Sequence, residues 1–497
     1  MTHPPSNPPT AAEAGTGSTA DLTAAAPPVD VAASGASRRR FDRSIVEGPI
    51  AAAVWKIAWP TVLQNAIGGL QGIIDHAMVG HYVGYTANAA IGVSWQIFLV
   101  IIVFISSLFT GMAVLVARFA GANESDKVNR TVYQAFLTAV ALAVGIMAPI
   151  GYLLSPTLLE LVNATPEVRA EALPYLRTMF VYGVGMLLFF MLGGALRAAG
   201  DARTPLRLGV VLTALNIGLN VILIAGYGPF PALGTFGAAL GTVIASGIVS
   251  TAAIVLIVKD RLVVHFPRTM SWRPDFAIIR ALFRFGLPAG LQGVAMNVAG
   301  VLLLRFIGSL EHSAEAQAAY AVGYSELFSL ITWTSVGLMG AASAVTGQNL
   351  GAGHPQRAVQ AVRIAARFGL AVAVTVGALF VLIPEQLLGI FGLEDPTVVQ
   401  LGRQLLRYLS VSGLFITVAL TFTGGLQGTG DTRSPLYITL ASQVLVPIGI
   451  CFTLQSLGRL TPSGVWTAIL VGHFTRCVLS VARFQQGKWK NIRVDIH

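Results

Sequence analysis

Long apolar runs, separated by short polar ones, recur along almost the whole chain. They lie near 51–77, 88–116, 131–154, 174–196, 205–226, 235–258, 281–308, 317–345, 360–384, 402–424, 434–456 and 464–484. Each is close to, or longer than, the ~20 residues that carry a helix across a bilayer. None alternates apolar and polar positions as a barrel strand would. A backbone crossing hydrocarbon must satisfy its own hydrogen bonds, so the runs predict an all-α polytopic membrane protein with twelve transmembrane helices in the lipid bilayer.

Composition agrees. Of 497 residues, 54% are hydrophobic and 11% charged, with a mean hydropathy of +0.71; soluble domains carry about 25% charged residues. The net charge of +10 does not imply nucleic acid, because the basic residues sit at the ends of spans. One face carries Arg118, Lys127 and Arg130, then Arg197, Arg203 and Arg207, then Lys259, Arg261, Arg268 and Arg273, then Arg357, Arg433, Lys488, Lys490 and Arg493. The other carries little beyond Arg169, Arg177, Arg403 and Arg459. This asymmetry predicts cytoplasmic N- and C-termini in a cell inner (plasma) membrane. Cys451 and Cys477 lie in apolar segments without paired spacing, so no metal site is expected. Residues 1–44, rich in Ala, Pro, Thr, Ser and Gly and ending in "SRRRFDRS", read as a disordered cytoplasmic tail.

The chain repeats itself. "GALRAAGDARTPL" (194–206) returns as "GGLQGTGDTRSPL" (424–436), "FAGANESDKV" (119–128) as "NLGAGHPQRA" (349–358), and "WPTVLQN" (59–65) as "LPAGLQG" (287–293). Two parallel six-helix lobes follow, residues 45–258 and 281–484, joined by a cytoplasmic loop 259–280 and followed by a cytoplasmic tail 485–497. Parallel repeats of this kind suit a transporter rocking about a central cleft. In the paired "GD-x-R-[TS]-P" turns, Gly200 and Gly430 end a helix, and Pro205 and Pro435 start the next.

Polar residues inside the spans carry the candidate chemistry. Asp75 shares a helix face with Gly72, Gln71, Gly68 and Gln64. The glycines are of the kind that let another helix approach closely. Pro60, one turn before Gln64, removes a backbone hydrogen bond and favours bending there. Thr213, Asn216 and Asn220 share a face of span 5, and such amides need partners in hydrocarbon, either as a site with Asp75 or as glue between helices. The second half has no copy: Asp75 corresponds to Leu303–Arg305, and Asn216 and Asn220 to Val446 and Ile450. Its own carboxylate is Glu326, facing either a cationic substrate, a second proton or a neighbouring side chain. No nucleotide-binding loop occurs, so uphill transport would draw on an ion gradient. Asp75 with amides is a poor catalytic set, and no enzyme is indicated.

Together these residues resemble the multidrug and toxic compound extrusion (MATE) family over roughly residues 50–485. The resemblance rests on the Pro60…Asp75 pair, "QNLGAG", "LRAAGDARTP", "LQGTGDTRSP" and "GPFPALGTFGAALGT" in this order. It implies two pseudo-symmetric lobes around a central cleft and cation-coupled export of amphipathic, often cationic small molecules, with no cofactor and a monomeric unit. The DinF-like branch uses the aspartate at Asp75 as coupling residue, with Asn216 beside it; where some members have a second aspartate, this chain has Asn220. The NorM-like branch has a glutamate in span 7, where this chain has Met296 and Asn297. A single carboxylate favours a proton over sodium (Na+) as coupling ion. The alternative within the superfamily, a lipid-linked oligosaccharide flippase, would want several membrane-embedded cations, for which Arg305 is the one candidate.

Overall fold

The computed structural model describes residues 41–229, 231–267 and 269–494. Ten helices among them are long and apolar enough to cross a membrane, and a bent pair makes an eleventh. The twelfth is helix 1, Ile50–Tyr82, whose Gln, Gly and Asp residues lower its hydropathy. The others, in chain order, are helix 2 (Tyr85–Gly121), helix 3 (Ser125–Leu161), helix 4 (Pro166–Tyr182 and Val184–Ala198), helix 5 (Arg203–Ala225) and helix 6 (Gly234–Val258). The second half has helix 7 (Phe276–Gly308), helix 8 (Ser313–Gly351), helix 9 (Pro355–Leu382), helix 10 (Pro396–Thr429), helix 11 (Arg433–Ser456) and helix 12 (Pro462–Gln485).

Hydropathy places the spans but shortens many of them. Helices 3, 4 and 8 run several residues past the apolar cores because amphipathic turns at the membrane faces stay helical. Span 4 is not one straight helix. It bends by 51° at Gly183, where a Cβ would lie 2.2 Å from the Met179 carbonyl oxygen. Helices 3, 8 and 11 each contain a π-helical turn, at Ala143–Met147, Ala321–Leu327 and Leu440–Leu445.

The segment boundaries also shift. Residues 1–40 of the expected tail lie outside the described residues, but Phe41 is buried and Ser44 opens a short helix to Glu47. Helix 7 begins at Phe276, inside the stretch assigned to the loop, because Asp275 caps it by accepting from Ala277 N and Ile278 N. The C-terminal segment packs as well: Trp489 is buried, and Arg118 donates to the Ile492 carbonyl at 2.8 Å.

The two repeated turns are built alike. Gly200 (φ +98°) and Gly430 (φ +95°) take the left-handed conformation that glycine tolerates. Asp201 then accepts from Thr204 N (3.0 Å) and Thr204 Oγ1 (2.6 Å), and Asp431 from Ser434 N (3.1 Å) and Ser434 Oγ (2.8 Å). The following helices start at Arg203 and Arg433, two residues before the prolines.

The lobes meet on the side of the termini. Lipid is as apolar as leucine, so membrane helices associate through close packing rather than hydrophobic exclusion. Glycines make that packing here. A Cβ on Gly121 would lie 1.9 Å from the Gln348 carbonyl oxygen, and one on Gly351 2.0 Å from that of Arg118. Farther in, Gly337 of helix 8 meets Val62 of helix 1, and Gly290 of helix 7 meets Ser107 of helix 2. These two crossings are copies of each other under the internal repeat. Gln348 donates to Ala198 O (2.7 Å), Asn349 to Ile45 O (3.2 Å), and Asn65 to Trp333 O (3.3 Å). These inter-lobe hydrogen bonds lie at or between Asn65 and the termini.

Candidate functional site

Helix 1 divides its allegiance at Pro60. Before it, Ile50, Ala53, Val54, Ile57 and Ala58 pack with Leu338, Ala341, Val345 and Ala361 of helices 8 and 9, in the other lobe. After it, the polar stripe faces the first lobe. Gln64 Oε1 accepts from Arg197 at 3.0 Å, Gln71 Oε1 accepts from Thr213 Oγ1 at 2.9 Å, and Asp75 Oδ1 accepts from Asn220 Nδ2 at 2.8 Å. The candidates Gln64, Gln71, Asp75, Asn216 and Asn220 thus form one seam between helices 1 and 5. Helix 1 stays continuous through Pro60.

The amides are held from behind. Asn216 and Asn220 are fully buried. Asn216 Nδ2 donates to Thr242 Oγ1 of helix 6 at 3.1 Å, and Asn220 Nδ2 lies 3.4 Å from Asn216 Oδ1. Gly241 presses on the same group, with a hypothetical Cβ only 2.0 Å from Asn220 Oδ1. That oxygen is buried without a hydrogen-bond donor. His76, next to Asp75, hydrogen-bonds through Nδ1 to Asn88 Oδ1 of helix 2 at 2.5 Å. Tyr175 lies within electrostatic reach of Asp75.

One expectation fails. Gly68 and Gly72 do not bring another helix close, for nothing lies within 4 Å of a Cβ on either. The long Gln64 and Gln71 side chains span the gap to Arg197 and Thr213, so the glycines widen a space instead of closing one.

Glu326 belongs elsewhere. It lies in the π turn of helix 8 and is exposed, its carboxylate unpaired among the described residues. Leu330, Trp333 and Gly337 continue the same helix face, and the last two touch helix 1. Glu326 is thus in the second lobe and, among the described residues, makes no contact with the Asp75 seam. An apolar cavity of about 160 Å³ between helices 2, 3 and 7, lined by Phe104, Ser107, Ile146, Phe283 and Leu287 among others, is separate from both.

Sequence reasoning missed Thr242, Gly241 and Arg197. Gly241 and Thr242 close the quoted "GPFPALGTFGAALGT", where nothing in the spacing marks that glycine as support for one amide. Helix 7 repeats part of the seam: Gln292, the copy of Gln64, donates to Thr439 at 3.0 Å. Asn297 bonds its own helix at Gly293 O (2.9 Å).

The geometry can be set beside known proteins. Residues 60–222 and 288–453 each match the MatE family model, one match per repeat. The probable multidrug resistance protein NorM of Thermotoga maritima is 27% identical over 439 residues, covering 88% of this chain and 92% of that relative. The probable multidrug resistance protein YoeA of Bacillus subtilis is 25% identical over 441 residues, covering 88% and 93%. A solved structure described as the outward-facing conformation of a multidrug resistance MATE family transporter of the MOP superfamily shares the fold, with TM-score 0.82 at 21% identity over 90% of this chain and 98% of that one. With both halves matched and twelve helices arranged as two lobes about a cleft, the chain belongs to the MatE family of membrane transporters.

Proposed function

We propose that the chain exports amphipathic, often cationic small molecules in exchange for protons, with Asp75 as the coupling residue. The single observation that carries this reading is the Asp75–Asn220–Asn216–Thr242 chain of hydrogen bonds, a lone carboxylate anchored to amides beside open space. The named relatives, multidrug resistance proteins, support the substrate class. One carboxylate with neutral amides suits a proton better than sodium, and with no acid at Met296 or Asn297 the site resembles the DinF-like branch. The unit is read as a monomer in the plasma membrane, with its termini in the cytoplasm. A flippase for a large anionic substrate would need several cations lining the cleft; Arg305, in the last turn of helix 7, is the sequence's candidate, while Arg197 is taken up by Gln64 and Arg476 is buried inside the second lobe.

The seam suggests how a proton acts. In the charged state Asp75 accepts from Asn220 Nδ2. Once protonated, Asp75 no longer offers Asn220 Nδ2 a charged acceptor. Loss of the charge weakens the hold of helix 5 on the far half of helix 1. Pro60, whose missing N–H leaves the ladder open at Lys56, lets that half lean into the first-lobe space and displace substrate. A protonation-dependent difference between the two cleft states is what makes this productive.

The test is efflux of a cationic dye from proteoliposomes under separately imposed proton and sodium gradients. Wild type is expected to respond to the proton gradient, and Asp75→Asn to lose gradient-driven export. Full export by Asp75→Asn, or a response to sodium alone, would overturn the assignment.

A further inference from the structure

The second lobe contains a buried positive charge that the coupling scheme does not use. Arg476, on helix 12, is 3% exposed. It sits about 13 Å of helix before the Gln485 end, too deep to reach the membrane face. Its guanidinium forms no ion pair or hydrogen bond with the described residues, and its Nε is buried without an acceptor. A guanidinium remains charged and carries five donors, so an uncompensated one in a membrane interior is costly unless something supplies the counter-charge.

The surroundings supply donors and no acid. Ser480, one turn along the same face, is fully buried with its hydroxyl unpartnered. Tyr324 lies within electrostatic reach of the guanidinium. His473, one turn back, is held by Ser412 Oγ at 3.1 Å and stacked on Phe328, ring centroids 5.7 Å apart. Glu326, two residues from Tyr324, is exposed and does not pair with Arg476. In the sequence, the spans of the second half otherwise contain only Glu315, in the first turn of helix 8.

We infer that the second lobe holds a binding site for a monovalent anion, a halide or a carboxylate, centred on Arg476 with Ser480 and Tyr324 as further donors. The first lobe presents a carboxylate to its cleft, and the second offers a cation to its interior; the repeat positions of Asp75 and Arg476 differ, so the sites are independent. The anion neutralises the guanidinium and gives the donors an acceptor.

The experiment is thermal unfolding of the purified full chain at constant ionic strength. Chloride, bromide or acetate is titrated against HEPES as a bulky reference anion. Wild type is expected to show saturable stabilisation. Saturation by chloride and bromide alone identifies a halide site, and saturation by acetate a carboxylate site. Arg476→Gln should weaken the apparent affinity at least tenfold, and Ser480→Ala and Arg476→Lys several-fold, so the latter two decide the matter if the glutamine variant does not fold. The inference is overturned if wild type shows no saturation, or if all variants respond as wild type does. Either result leaves the Asp75 scheme intact, because dye export is read separately.

Discussion

Gly241 shows how much of this site depends on a residue with no side chain. The Asn220 amide is aimed at Asp75 because helix 6 comes within contact of its oxygen, and only hydrogen fits between them. A methyl group there must push Asn220 toward helix 1 or force the helices apart, at about 1–3 kcal/mol for overpacking. Gly241→Ala is therefore expected to lower proton-driven dye export about tenfold or more, while Gly72→Ala, which meets nothing within 4 Å, leaves packing unchanged. Export assays on equal amounts of folded protein compare the two; equal activity would mean Asn220 is not positioned by helix 6. The polar half of the seam was legible in the chain, since Gln64, Gln71 and Asp75 share a face by spacing alone, as do Thr213, Asn216 and Asn220. Which oxygen meets which nitrogen was not legible, because the partners lie up to 145 residues apart and their pairing depends on how whole helices cross.

At the scale of elements, apolar length located all twelve helices but misjudged their ends and their internal geometry. Helix 1 is the instructive case, for it fails a plain test of apolarity because it carries the site. The bend at Gly183 and the π turns could not be read from hydropathy, which is blind to backbone register. The tail boundary was misplaced for a similar reason: Phe41–Ser44 follow a basic, low-complexity stretch but fold against the start of helix 1. Asp42 there pairs with Lys56, and Ser44 N donates to its Oδ1 at 3.0 Å. Burial alone would raise the Asp42 carboxyl, but the hydrogen bonds from Lys56 and Ser44 outweigh it and hold the carboxyl below its ordinary value. With the folded value depressed, the contribution of this contact is full above the unfolded value near pH 4 and fades as pH falls through the folded one. Hydrogen exchange at residues 44–48 should thus be flat from pH 8 to 5 after correction for intrinsic rates, and rise below about pH 4. Asp42→Asn should show faster exchange with no such step; an identical acid step in the variant would assign the transition to another group.

For the whole molecule, the internal repeat explains why the closed side is closed so thoroughly. Helix 1 crosses to helix 8 at Val62–Gly337, and helix 7 crosses to helix 2 at Gly290–Ser107, so one contact is made twice about a pseudo-two-fold axis. Gly347 against Ala117, where an added Cβ would lie 2.7 Å from that of Ala117, and Gly351 against Arg118 pack the same side nearer the termini. Close packing of this kind at glycine does not slide gradually; it is made or broken, which is what a two-state rocking motion requires. Helix 1 links that motion to the site, since its first half belongs to the closed contact and its second half to the Asp75 seam. If transport requires these crossings to part, tying them must stop it. With Cys451 and Cys477 replaced by serine, Ala117→Cys combined with Gly347→Cys is expected to cross-link under mild oxidation and to abolish dye export by more than nine-tenths, with recovery on reduction. The single-cysteine variants should be unaffected by the oxidant. Undiminished export by the fully cross-linked protein would show that the lobes do not separate on the side of the termini, and the alternating cleft would have to be abandoned.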